Sequence, residues 1–168
     1  MKKFPKLERF GDRAGTDNEH FLNAKLFIDA FLGQLPTNWQ YGVEVRNTKL
    51  LRAEYFDVLH AHNVAHVFNS WTKMPPVDEQ MQMPGAFTAD FFAARFLLRP
   101  GRAYQQAVDS FQPYGETKEK NPEARAAIKA LIKRGTAAPT PRPSYVFVNN
   151  RLEGNSPNTI AAALDLGT

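Results

Sequence analysis

The feature that most constrains the fold is a repeated order in which a short strand-like segment is followed by a polar turn and a helix-like segment. Strand-like segments occur at 42–46, 64–68, 90–99 and 145–148, at spacings of about 25 to 50 residues. This spacing predicts parallel strands joined by right-handed helical crossovers, because strands that are adjacent in an antiparallel hairpin need only short turns. The predicted fold class is α/β.

Local signals place the boundaries of several elements. Residues 1–15 are polar and predict an arm or loop, and the capping box at 16–19 predicts the start of a helix with a broad apolar face that packs on the sheet. Residues 72–88 contain three prolines and predict a long loop. A helix that begins after Asn121 is expected to end before Gly135, and Ser156 is expected to cap the last helix.

Composition limits the class of protein. Of the 168 residues, 43% are hydrophobic and 23% are charged, which is ordinary for a soluble globular protein, and the length predicts one domain over 1–168. The net charge of +4 is spread along the chain, so nucleic-acid binding, which usually needs a basic stripe, is not expected. The chain has no cysteine and no apolar run near the ~20 residues that span a bilayer. We expect a cytoplasmic protein with no membrane segment.

Two charged residues interrupt the first predicted strand. Glu44 and Arg46 alternate with Val43 and Val45, so both charged side chains point to the same face of the sheet. Charges in a sheet that is buried on both faces are costly unless they are paired. The pattern therefore indicates a polar cavity or, alternatively, a surface edge with a structural ion pair. In the cavity interpretation Glu44 is an acid/base or ligand-orienting group and Arg46 binds an anion.

Further candidates lie within or just after the other predicted strands. Arg95 and Arg99 suit bidentate binding of a phosphate or carboxylate, or plain salt bridges. Trp71 suits stacking on a ligand ring or packing in the core, and Asn149 with Asn150 suits hydrogen bonding to a sugar or amide, or fixing of the loop backbone. The full set of candidates is Glu44 and Arg46 as catalytic residues, and Asn69, Trp71, Arg95, Arg99, Asn149, Asn150 and Glu153 as substrate-binding residues.

No metal site is predicted from the histidines. His60 and His62 are two residues apart and do not share a helix face, and His66 lies beyond a turn. The common nucleotide and hydrolase signatures GxxxxGK[ST], GxGxxG, GxSxG and HExxH are absent from the sequence. The sequence assigns no cofactor.

Several segments together resemble one known family. They are VEVRN at 43–47, NSW with MPP at 69–76, the arginine-bearing strand at 91–99, YVFVNNRLEGNSPNTI at 145–160, and FGDRAGTDNEHFLNAKLF at 10–27. They are similar to domain of unknown function family 72, the YecE-like proteins, over nearly the whole chain. The resemblance implies a TIM-type (β/α) barrel whose activity is not established, with polar residues gathered at the strand ends.

The resemblance also implies a departure from the complete barrel. A TIM-type barrel uses eight strands and about 250 residues, whereas this chain has 168 residues and about four predicted strands. We therefore predict an α/β partial TIM-type barrel, similar to the carboxyl-terminal portion of the family fold, with flanking helices. An incomplete barrel exposes sheet edges, so a homodimer or a partner chain is expected to complete it. The predicted function is a barrel enzyme or enzyme remnant acting on a small polar ligand, a sugar or phosphate compound, or alternatively a non-catalytic binding or assembly module.

Overall fold

The protein is built on a four-stranded, all-parallel sheet. A computed structural model describes residues 17–137 and 140–165, and the predicted arm at 1–15 lies outside that range. The strands are β1 (Gly42–Val43), β2 (Ala65–Ser70), β3 (Phe92–Phe96) and β4 (Ser144–Val148). They lie in the order β1-β2-β3-β4, and every neighbouring pair is parallel. The α/β class and the four parallel strands are confirmed, and the arrangement is consistent with a partial barrel.

Within the described residues, six helices flank the sheet. They are α1 (Asp17–Leu32), α2 (Ala53–Ala61), α3 (Val77–Gln82), α4 (Tyr104–Phe111), α5 (Pro122–Thr136) and α6 (Ser156–Ala163). A 3-10 turn, Thr48–Leu50, precedes α2 and is capped by the side chain of Asn47, which accepts a hydrogen bond from the amide of Lys49. In the part of the chain that the structure describes, no helix combines the length and apolar character needed to cross a bilayer.

The main hydrophobic core lies between one face of the sheet and the helices. Phe68, Phe92 and Phe96 point to this face and are buried together with Leu59 from α2 and Leu131 from α5. Because side chains alternate along a strand, the other strand residues point to the opposite face, which the described helices do not cover. We call this opposite face, which carries Val67, Ala93, Arg95, Tyr145 and Phe147, the open face.

Several predicted boundaries were wrong for identifiable reasons. The predicted loop at 72–88 contains α3, because its three prolines lie before and after the helix rather than within it. Gly135 lies inside α5 rather than beyond it, because its missing side chain lets the helix approach Arg142 and Ser144. Asn155, not Ser156, caps α6, since its side chain accepts a hydrogen bond from the amide of Asn158.

The first helix also differs from its prediction. Thr16 of the capping box lies outside the described residues. The helix α1 packs mainly on α2 and the 3-10 turn, not on the sheet, and the side chains of Leu22, Leu26 and Phe31 are exposed. A hydrogen bond of 2.7 Å between His62 Nε2 and Asp29 Oδ1 ties α1 to the end of α2. The broad apolar face of α1 is therefore only partly covered.

Candidate functional site

The open face carries a pocket of about 690 Å³. Its lining residues come from the segment before β1 and from all four strand regions, and they are Asn38, Trp39, Gln40, Gly42, Glu44, Val67, Phe91, Ala93, Arg95, Tyr145 and Phe147. Charged side chains lie toward the carboxyl ends of the strands, and the remaining lining residues of the strand regions are apolar or aromatic, with polar Asn38 and Gln40 from the segment before β1. This division follows from the sequence, because Glu44 and Arg95 occupy open-face positions in otherwise apolar segments.

A carboxylate and two guanidinium groups form an ion triad at this pocket. Oε1 of Glu44 accepts a hydrogen bond from Nε of Arg46 at 2.8 Å, and Oε2 accepts one from Nη1 of Arg95 at 2.5 Å. The Glu44 side chain is 15% exposed, whereas those of Arg46 and Arg95 are 44% and 42% exposed. The triad carries one negative and two positive charges; Glu44 and Arg95 line the pocket, and Arg46 is bound to Glu44 beside it.

Trp71 supports the triad from the side. The guanidinium carbon of Arg46 lies 4.2 Å from the centre of the Trp71 ring, a distance at which cation–π attraction operates. Trp71 is partly buried and also packs against the hydrophobic core. The tryptophan thus positions Arg46 and packs against the core, and its stacking on a ligand ring stays a prediction.

Asn69 lies on β2 beside Arg95, its register partner on β3. Its side-chain amide nitrogen donates to the carbonyl oxygen of Val45 at 3.0 Å, which holds the chain beyond the two-residue strand β1. The side chain of Gln80 from α3 bonds both the amide and the carbonyl of Asn69, at 3.2 and 2.7 Å. The Oδ1 atom of Asn69 is buried and has no hydrogen-bond partner within the described ranges. Asn69 therefore fixes the backbone on which Glu44 and Arg46 stand.

Arg99 lies apart from the triad. It donates to Glu119 at 2.5 Å and to the carbonyl of Lys120 at 3.2 Å, and Arg102 donates to the other oxygen of Glu119 at 2.6 Å. Arg99 lines a separate cavity of about 400 Å³ that shares no lining residue with the open-face pocket. The structure therefore separates Arg99 from Arg46 and Arg95, the other two arginines predicted to bind an anion.

Asn149 and Asn150 both bond the backbone of their own loop. Oδ1 of Asn149 accepts from the amide of Arg151 at 3.0 Å, and Oδ1 of Asn150 accepts from the amide of Ser156 at 2.8 Å. These bonds shape the turn between β4 and α6. The geometry matches the loop-fixing alternative for both asparagines.

Glu153 is fully buried, and its carboxylate is surrounded by protein donors. Arg125 binds it in a fork, with Nε 2.9 Å from Oε1 and Nη2 2.8 Å from Oε2. The hydroxyl of Thr159 donates at 2.8 Å, and the amide of Asn121 donates as well. Glu153 joins the starts of α5 and α6 and lines neither of the two described cavities.

The histidines form no metal site in the described part of the chain, where no group of three or more potential ligands is close enough to hold an ion. His66 is buried between the rings of Tyr55, Phe56 and Phe68. Its Nδ1 lies 3.2 Å from the Tyr55 hydroxyl. Burial lowers the pKa of His66 to about 4, and burial also raises the pKa of Tyr55 above its ordinary value.

The structure thus brings together four of the nine candidates, Glu44, Arg46, Trp71 and Arg95, with Asn69 beneath them. Sequence reasoning did not select the aromatic part of the pocket, which is Trp39, Tyr145 and Phe147. The alternation of Ser144–Val148, which places Tyr145 and Phe147 on one face, was the available signal. Nothing in the sequence indicated Trp39.

A family model described as "Protein of unknown function DUF72" matches residues 19–167. The chain belongs to this family. Membership confirms the resemblance seen in the sequence segments, and it gives this DUF72 protein no reaction or substrate. No curated protein and no solved structure matches the chain.

Proposed function

We propose that this DUF72 protein binds a small polar ligand with an anionic group, such as a phosphate or an acidic sugar compound, in the open-face pocket. The observation that supports this proposal is the triad of Arg46, Glu44 and Arg95. A guanidinium group has five N–H donors, and Glu44 receives one hydrogen bond from each arginine. The net positive charge and the remaining donors suit an anion.

The proposal gives each member of the triad a role. Arg95 lines the pocket and binds the anion, and Arg46 assists from its position on Trp71. Both oxygens of Glu44 already accept from arginine, so Glu44 is better placed to orient the two guanidinium groups than to exchange a proton with a ligand. The catalytic roles of Glu44 and Arg46, and with them an enzymatic activity, stay predictions.

The test is a calorimetric titration of the protein with inorganic phosphate. Arg95→Gln should weaken binding about tenfold, because a charge-assisted hydrogen bond is lost. Arg95→Lys keeps the charge but loses the planar fork, so its affinity for phosphate should lie between those of the wild type and Arg95→Gln. Arg134→Gln is the matched control, since Arg134 lies on α5 over the ring of Phe87. Equal affinity in wild type and Arg95→Gln would overturn the proposal.

An assembly function is the second candidate, and exposed aromatic rings favour it. Trp39, Tyr145 and Phe147 are 69%, 45% and 62% exposed, which leaves several hundred Å² of aromatic surface uncovered. The described sheet also has two edges, β1 and β4. A second copy of the chain would supply four further parallel strands and so reach the eight of a TIM-type barrel. In this assembly a second copy of the chain covers the open face.

Three further predictions from the sequence stay proposals. They are a single domain over 1–168, a TIM-type barrel of the YecE-like kind, and a cytoplasmic location, which the absence of cysteine supports.

A further inference from the structure

The floor of the open-face pocket is built from small side chains. It is lined by Gly42 on β1, Val67 on β2 and Ala93 on β3; Val67 and Ala93 are register partners, whereas Gly42 pairs with Ala65. A Cβ atom on Gly42 would lie 2.8 Å from Cγ2 of Val67 and 4.0 Å from Cβ of Ala93. Because Gly42 has no side chain, the pocket is deeper at this position than it would be with any other residue.

Aromatic rings stand beside this floor. Tyr145 and Phe147 rise from β4, and Trp39 comes from the segment before β1. The Tyr145 hydroxyl donates to Oε1 of Gln40 at 3.0 Å, and its ring makes an edge contact with Phe91 at 5.8 Å. Tyr145 is thus held in place before any ligand arrives, whereas Phe147 is largely exposed. A floor of small side chains beside aromatic rings suits a ring-shaped ligand with an apolar face.

The place for the ring and the place for the anion are adjacent. Arg95 and Phe147 are register partners on neighbouring strands, and such strands lie about 4.8 Å apart. Both side chains point to the open face and line the same pocket. A ligand that reaches both must therefore carry its anion within a few bonds of its ring.

We propose that the ligand is a cyclic sugar that carries a phosphate, with the phosphate on Arg95 and one apolar face of the ring on Phe147. The inference rests on the proposed anion site and adds a second contact that inorganic phosphate cannot make. Positive charge at one end of the pocket complements the phosphate, and the aromatic side chains complement the C–H face of the ring. Neither half of the ligand alone uses both contacts.

The test compares inorganic phosphate, glucose and glucose 6-phosphate by calorimetry on the whole protein. Glucose 6-phosphate should bind about tenfold tighter than phosphate, and glucose alone should bind weakest. Phe147→Ser should weaken the binding of glucose 6-phosphate more than that of phosphate, so that the two affinities approach each other. Tyr104→Ser is the matched control, because Tyr104 is an exposed aromatic residue on α4 that lies outside the pocket.

The outcomes separate this inference from the anion site. If phosphate and glucose 6-phosphate bind equally to the wild type, or if Phe147→Ser weakens both equally, the ring contact is absent and the anion site stands. If the wild type does not bind phosphate, or if Arg95→Gln leaves the affinity for phosphate unchanged, both proposals are rejected. Unfolding curves of each variant confirm that the titrated protein is folded.

Discussion

Glu44 and Glu153 are carboxylates at strand ends with different surroundings. Glu44 is bound by two partly exposed arginines at the wall of a pocket, whereas Glu153 is enclosed by Arg125, Thr159 and an amide group. A side chain whose bonds all go to protein groups can stabilise the fold without contacting a ligand. Because Glu153 is buried and lines neither of the two described cavities, its replacement should change stability.

Glu153→Gln should lower the free energy of unfolding by about 3 kcal/mol, because it removes the charge of a buried carboxylate and leaves Arg125 without its partner. Urea unfolding monitored by circular dichroism measures the change. Glu116→Gln is the matched control, since that exposed carboxylate pairs with Lys118 at the surface and its replacement should not change stability measurably. A stable Glu153→Gln variant that has lost ligand binding would instead place Glu153 in the site.

His66 should make the protein less stable in mild acid. The pKa of His66 in the folded state is about 4, below the ordinary 6.5. Between these two pH values the unfolded chain binds a proton at this histidine and the folded chain does not, so acid favours the unfolded state. The stabilisation is complete above pH 6.5 and is lost as the pH falls toward 4, with a total of about 3 kcal/mol.

Urea unfolding at several pH values checks this prediction. His66→Phe should show a shallower decline of stability between pH 6.5 and 4 than the wild type. The exposed His60 on α2 supplies the control, and His60→Phe should follow the wild type. Parallel curves for wild type and His66→Phe would contradict the assignment.

At the level of single residues, the sequence could predict the direction of side chains but not their partners. The alternation around Glu44 and Arg46 placed both on one face, and the structure pairs them there. Asn149 and Asn150 were ambiguous, because a loop amide competes with any ligand for the same oxygen and the loop conformation decides the outcome.

The elements of the sheet were predictable because each strand has either alternating or continuous apolar character. The helix α3 was missed because it has only six residues and lies between prolines. Its residue Gln80 nevertheless bonds the backbone amide and the backbone carbonyl of Asn69. These bonds take the place of strand pairing where β1 has already ended. A long-range bond of this kind leaves no periodic signal in the sequence.

Gly135 in α5 gives a prediction at the level of elements. A Cβ atom there would lie 2.8 Å from the carbonyl oxygen of Arg142 and would also collide with the Ser144 hydroxyl. Alanine normally stabilises a helix by about 1 kcal/mol relative to glycine, but overpacking of this kind costs about 1–3 kcal/mol.

Gly135→Ala should therefore destabilise the protein in thermal unfolding, which reverses the usual sign. Ser110→Ala is the control, since Ser110 is an exposed residue of α4 and its replacement should be neutral or slightly stabilising. An increase in melting temperature for Gly135→Ala would show that α5 does not approach β4 as closely as the structure indicates.

At the scale of the whole molecule, no helix among the described residues covers the open face, so a ligand or a second copy of the chain can occupy it. If a second copy covers it, light scattering should give a mass near twice the monomer mass of 18.9 kDa. Phe147→Asp should then return the protein to the monomer, because a charge at the centre of the exposed aromatic surface opposes its burial. A monomer at all concentrations would reject self-assembly, and a complex only with a different chain would reject the second copy as occupant.

The most direct test of the anion site is nuclear magnetic resonance of the arginine side-chain N–H groups during a titration with glucose 6-phosphate. The Nε–H signals of Arg95 and Arg46 should shift together and saturate at one ligand per chain, while that of Arg134 on α5 should stay in place. Small shifts that are shared equally by all three arginines and never saturate would contradict a ligand site on the open face.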